Sequence, residues 1–141
     1  MIDKNFIKRK LKLMAEDLGH LEEFGDYNLS ELAKDFMKQA AVERILERIV
    51  IRATDINNHL IAELGKGVEK VRGYRDGFLR LADLGVYSQD FSEKMGDNAR
   101  FRNILVHEYN NIEPELIHKK VREVLENFRQ YSNYILKFIE K

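Results

Sequence analysis

Cysteine is absent from the 141 residues, which excludes a disulfide framework and any thiolate metal site. Proline occurs once and glycine eight times, so little interrupts long helices. No apolar stretch approaches the roughly 20 residues of a membrane span. The opening MIDKNFIKRKLKL mixes charged with apolar residues and lacks the continuous apolar run of a signal peptide. The expected location is therefore the cytoplasm, with no membrane attachment. Net charge is also missing: 24 basic residues balance 24 acidic ones. A protein that coats nucleic acid is usually basic. This balance counts against a simple nucleic-acid-binding module, and less against an enzyme that touches a few phosphates.

What is present suits a soluble, helix-rich fold. Hydrophobic residues make up 44% and charged residues 34%. The length fits one domain, residues 1–141, with no repeat or linker. Ile7, Leu11, Met14, Leu18 and Leu21 recur at steps of three and four, which predicts a helix from about Asp3 to Phe24. Gly25-Asp26-Tyr27-Asn28 reads as a turn, and Ser30 as the cap of a long helix over about Glu31 to Leu64. Its stripe is Ile45, Ile49, Ala53, Ile56, Leu60 and Leu64, and Gly65-Lys66-Gly67 ends it. A third helix is expected over Tyr74 to Leu84, closed by Gly85. Ser88, Phe91 and Met95 open a fourth that runs toward Arg102–His107. Asn110-Asn111 breaks the chain, and Pro114 fits the first position of a last helix. There Ile117, Val121, Val124, Phe128, Tyr131, Ile135 and Phe138 alternate steps of four and three, like a coiled-coil seam. The fold class is all-α, an up-and-down bundle of four to five helices.

The segment Arg102-Asn103-Ile104-Leu105-Val106-His107-Glu108-Tyr109 concentrates chemistry in eight positions. A fixed guanidinium can neutralise a phosphate and stabilise a transition state. An imidazole titrates near neutral pH and can move a proton. Together they suffice to cleave RNA without a metal, the 2′-OH attacking the adjacent phosphorus. Five residues on a helix span about 140° and about 7.5 Å of rise, so Arg102 and His107 do not share a narrow face. A bend near the helix end, or a second subunit, would bring such groups together. The plain structural reading stays open: Arg102 pairs with a carboxylate, and His107 is an ordinary half-buried residue.

The run RNILVHEY resembles the hallmark of the HEPN superfamily, and the Tyr two residues after the His resembles its HepT branch. Residues 41–63, AVERILERIVIRATDINNHLIAE, are similar to that branch's long helix, with its Glu-Arg start and the Asp-Ile-x-x-His element at Asp55–His59. The likeness extends from about residue 30 onward. It implies a helical homodimer in which the Arg and His of both subunits meet in an interface cleft. It implies a metal-independent endoribonuclease toxin that needs no cofactor, acts on RNA such as tRNA and leaves a 2′,3′-cyclic phosphate or its relatives. Arg102 would polarise the scissile phosphate, His107 would be general acid or base, and Asn103 would hold the substrate or the Arg. It further implies an MntA-like nucleotidyltransferase antitoxin, as in type VII-like pairs, that silences the toxin by transferring AMP to Tyr109 and could form a hetero-oligomer with it. A phosphodiester and an adenosine two residues from His107 would repel and block RNA.

Asp55 and His59 lie four apart on one helical face, which Arg48 and Arg52 extend. They are supporting residues beside the cleft, or else a salt-bridged solvent face. Lys66, Lys70, Arg72, Arg75 and Arg80 form a basic stretch that could hold phosphates, though such runs are often only solvated. His20 and His118 read as surface residues. Phe128, Tyr131 and Phe138 read as core. Metal sites are not expected, because no zincin spacing occurs. The alternatives to a nuclease are a nucleotide-, RNA- or partner-binding module that does not cut, and a structural dimer with a degenerate site.

Overall fold

The computed structural model describes residues 1–25, 34–65, 71–108 and 114–141, without the side chains of 101–108 and 114–118. These residues form five α-helices: α1 Lys4–Gly25, α2 Phe36–Leu64, α3 Tyr74–Asp83, α4 Gln89–Glu108 and α5 Pro114–Ile139. Among the described residues there is no strand. None of these helices is long and apolar enough to cross a membrane.

The apolar stripe of α1 is buried as its spacing predicts: Ile7, Leu11, Met14, Leu18 and Leu21 are each at most 7% exposed. They face α2 and α5. Lys10 meets Asp55 and Asp17 meets Arg48, so α1 and α2 run antiparallel. Glu22 meets Arg129 and Met14 meets Ser132, so α5 also opposes α1. Phe91 of α4 rests against Tyr134 near the far end of α5. With the groove residues described below, that contact sets α4 antiparallel to α5. The up-and-down arrangement is thus written in cross-helix pairs.

Two helix starts differ in how well sequence located them. Ser88 Oγ accepts from the Phe91 N–H at 3.1 Å and caps α4, as expected. The long helix does not begin at Glu31. It begins at Phe36, where Asp35 is the cap and accepts from the Lys38 N–H at 3.2 Å. The expected turn at 26–28 and the Ser30 cap lie outside the described residues, as do Lys66, Gly67, Lys70 and Asn110-Asn111. Gly65 ends α2 with extended backbone, its N–H reaching the Ile61 carbonyl at 2.8 Å. Gly85 ends α3 with φ +83, a left-handed position that favours glycine. Its N–H bonds Ala82 O, and the Val86 N–H bonds Leu81 O, the paired closure of a Schellman cap.

The α2 stripe holds at Ile49, Ala53, Ile56 and Leu60, which are buried. Ile45 is only half-buried, and Leu64 is exposed because it is the last helical residue. Leu46, Val42 and Val50 take the places that the simple stripe missed. On α5, Val121, Val124, Phe128, Tyr131 and Ile135 are buried, while Phe138 is half-buried and Ile139 fills the core instead. Phe78 of α3 meets Phe128 and Tyr131 edge-on, with centroids at 6.2 and 5.7 Å. Each fully buried ring contributes about 1.5–3 kcal/mol of hydrophobic stabilisation.

Candidate functional site

α4 is unbroken from Gln89 to Glu108, so Arg102, Asn103 and His107 all stand on regular helix. Within one chain the helical phase keeps them about 140° apart. Asn103 and His107 are four residues apart and share a register. Arg102 follows Asn98 by four residues, on the register of another stripe. Tyr109 lies outside the described residues.

That second stripe borders a groove between α4 and α5 with a volume of about 410 Å³. Lys94, Asp97 and Asn98 line it from α4, and Lys120, Glu123, Glu126, Asn127 and Gln130 from α5. Lys120 Nζ lies 3.4 Å from Glu123 Oε2. Asn98 is only 9% exposed, and among the described residues its Nδ2 has no hydrogen-bond partner. Sequence reasoning passed over Asn98. Its one signal is its place one helical turn before Arg102.

On its other side α4 is braced by α3. A Cβ on Gly96 would come within 2.7 Å of Arg75 Cγ, so only glycine lets the Arg75 stem lie this close. One cation of the basic stretch is paired: Arg80 Nε lies 3.0 Å from Asp76 Oδ2, a carboxylate that also accepts from the Arg72 backbone N–H at 2.9 Å. His20 is exposed as expected, and the His118 side chain lies outside the described ones.

Asp55 and His59 share a face, as their spacing requires, and that face is turned toward α1. Lys10 Nζ donates to Asp55 Oδ2 at 2.9 Å. His59 Nε2 accepts from the Asp3 N–H at 2.9 Å, and its ring packs on Phe6 with centroids 5.2 Å apart. Arg48 and Arg52 do extend this face, but toward a residue the sequence reading missed. Asp17 is 2% exposed and sits between them at 3.5 and 3.4 Å. Its signal was a carboxylate set inside the apolar stripe of α1, beside Leu18.

Two phenols are buried in the core. The Tyr131 hydroxyl donates to Asn57 Oδ1 at 2.6 Å, with the Ala53 carbonyl at 3.2 Å. The Tyr87 hydroxyl donates to Phe78 O at 2.8 Å. Burial pushes both phenols well above their ordinary range, and for Tyr131 the nearby Tyr87 adds to the effect. Neither is available to lose a proton in catalysis. Among the described residues no group of three or more His, Asp or Glu is placed to hold a metal ion.

Comparison with known proteins gives one consistent answer. The sequence profile described as Ribonuclease HepT-like matches residues 14–135. The chain is 27% identical to the tRNA nuclease HepT of Aphanizomenon flos-aquae, over 99% of this chain and 97% of that one. It is 29% identical to the mRNA nuclease HepT of Shewanella oneidensis, over 75% of this chain and 78% of that one. Its fold is similar to that of a tri-AMPylated Shewanella oneidensis HEPN toxin solved in complex with an MNT antitoxin. There the TM-score is 0.79 and the identity 24%, covering 96% of this chain and 99% of that one.

Proposed function

The chain belongs to the Ribonuclease HepT-like family, and from that premise we propose that it is the RNA-cleaving toxin of a toxin–antitoxin pair. The observation that carries the reading is the run Arg102 to Glu108 at the C-terminal end of α4, with Tyr109 next in the sequence, all inside the matched residues. The Arg102 guanidinium binds the scissile phosphate and offsets the charge that develops on it. The ribose 2′-oxygen forms a bond to phosphorus as the bond to the 5′-oxygen breaks, leaving a 2′,3′-cyclic phosphate. His107 takes the 2′-OH proton or supplies one to the departing 5′-oxygen. No metal is required, because a guanidinium and an imidazole cover both needs.

Helical phase keeps Arg102 and His107 of one chain apart, so a homodimer supplies the composite site, Arg102 of one subunit working with His107 of the other. Asn103 holds the substrate or Arg102. Asp55 and His59 support the site from the α1–α2 seam. A nucleotidyltransferase antitoxin is the partner, and AMP on Tyr109 is the silencing modification. The tRNA and mRNA nucleases among the relatives support an RNA substrate, with tRNA the first to test.

The test is cleavage of total tRNA in EDTA by protein whose intact mass shows bare Tyr109. Wild type should cut. His107→Ala and Arg102→Ala should each lower the rate by about 100-fold or more. A bare wild type that binds tRNA without cutting it would instead favour the binding-module reading.

A further inference from the structure

The basic stretch of α3 contains a cation that α4 seats and no carboxylate holds. Arg80 is paired with Asp76, but the half-buried Arg75 has no ion pair or hydrogen bond among the described residues. Its stem crosses α4 at Gly96, where a Cβ would stand 2.7 Å from Cγ, 3.4 Å from Nε and 3.5 Å from Cδ. The missing Cβ is the seat of this side chain. Of the guanidinium only Nε is shut away there, and the two terminal nitrogens stay open to solvent. A guanidinium held by its stem has already lost much of the freedom that contact with an anion would cost it.

Gly96 also fixes a register. Arg100, Asn103 and His107 follow it on the unbroken α4 within an arc of about 60°. Arg100 is exposed and, like Arg75, unpaired among the described residues. It stands about 6 Å of rise beyond Gly96 and about 10.5 Å before His107. Asp97 is the one acidic residue between Gly96 and His107, and it lies about 100° round the helix from Gly96. Two open guanidinium groups thus lead along one helical face to Asn103 and His107, with no carboxylate on that face between them. Such groups match the phosphates of a nucleic-acid strand, which position it without reading its bases.

We propose that Arg75 and Arg100 are substrate-binding residues that hold RNA backbone phosphates flanking the scissile one, along the α4 face of Asn103 and His107. This deepens the nuclease reading and rests on it for the choice of RNA, but its test needs no cutting. The probe is a fluorescent single-stranded RNA of mixed sequence, bound to the His107→Ala protein over a range of salt. Arg75→Gln and Arg100→Gln should each weaken binding about fivefold and reduce the salt slope by about 0.7. Lys8→Gln removes the same charge from an exposed position on α1 and should change binding less than about twofold. Gly96→Ala keeps every charge but pushes the Arg75 stem from its seat, so it should repeat the Arg75→Gln loss. The two together should then be no worse than Arg75→Gln alone. Melting temperatures identify which variants are folded. Arginine variants that lose no more than Lys8→Gln overturn the proposal, and so does a folded Gly96→Ala that binds as its parent does. If wild type does not cut tRNA but binding still falls in the arginine variants, the nuclease reading fails alone. If it cuts and binding ignores both arginines, this proposal fails alone.

Discussion

The α1–α2 seam and the α4–α5 groove are both rich in charge and amide, and they use these groups in opposite ways. In the seam, Asp17 is buried between two arginines, Asp55 holds Lys10, and His59 accepts a backbone N–H. In the groove, Asp97 and Glu126 line open space beside the single Lys120–Glu123 pair, and the buried Asn98 Nδ2 has no partner among the described residues. Groups that satisfy one another hold helices together and have nothing left for a ligand. A buried group left unsatisfied costs stability, in the groove wall as at Asn57 Nδ2 in the core. The contrast divides these groups between a seam that holds α1 to α2 and a groove whose groups stay open.

The strongest way to break the division is at Asp17. Removing a carboxylate that is 2% exposed leaves Arg52, 18% exposed, without its partner. Loss of one member of a buried pair is strongly destabilising, and the partial exposure of the arginines puts Asp17→Ala at about 3 kcal/mol. Urea unfolding should show that loss, while tRNA cleavage per folded molecule stays unchanged. An unshifted urea midpoint would mean that the seam's charges do not hold α1 to α2.

A smaller effect is expected at Tyr131, whose buried hydroxyl bonds α2 from the core. Tyr131→Phe leaves Asn57 Oδ1 without its donor, beside an Nδ2 that already has no partner, and should cost about 1–2 kcal/mol. The pH dependence follows from the raised phenols. A group whose folded pKa lies above its unfolded value gives stability that is complete below the unfolded value, here 10.0, and is lost as pH rises beyond it. Each of Tyr131 and Tyr87 should therefore remove about 1.4 kcal/mol per pH unit above that point. The Phe variant should show about half the alkaline slope of the wild type. Phenolate absorbance rising well before unfolding would contradict the burial assigned to these rings.

How much of this was legible in the sequence depended on distance along the chain. The stripes of α1 and α5 follow from steps of three and four, because one helix's burial is written in its own residues. Gly85 and Ser88 announced the gap between α3 and α4 for the same local reason. The start of α2 was expected at Glu31 and lies at Phe36, because Ser and Asp both cap well and the spacing does not say which one opens the helix. The residue types of the Arg102–Tyr109 run were plain. What faces what was not: the partners of Arg48, Arg52 and His59 lie on α1, and no spacing within α2 names them. The groove was invisible for a related reason, since Asn98 reads as one more polar helical residue until α5 is laid beside it.

The smallest predicted effect is the sharpest test of the comparison, because Asp55 and His59 carry two assignments. Their resemblance to a family element makes them supporters of the cleft, yet their contacts run to Lys10, Asp3 and Phe6 of the same chain. The Asp55–Lys10 pair is partly exposed, at 38% and 19%, so solvent screens it and Asp55→Asn should cost about 0.5–1 kcal/mol. If these residues support the site only by seating α2, cleavage should fall less than about threefold, and a Lys10→Met variant should reproduce the loss. The double variant should then be no worse than either single one, since both remove the same pair. A tenfold loss of cleavage at Asp55→Asn that Lys10→Met does not share would show the carboxylate acting on RNA or on the second subunit. The seam would then belong to the site, and the division between the two regions would fail at that point.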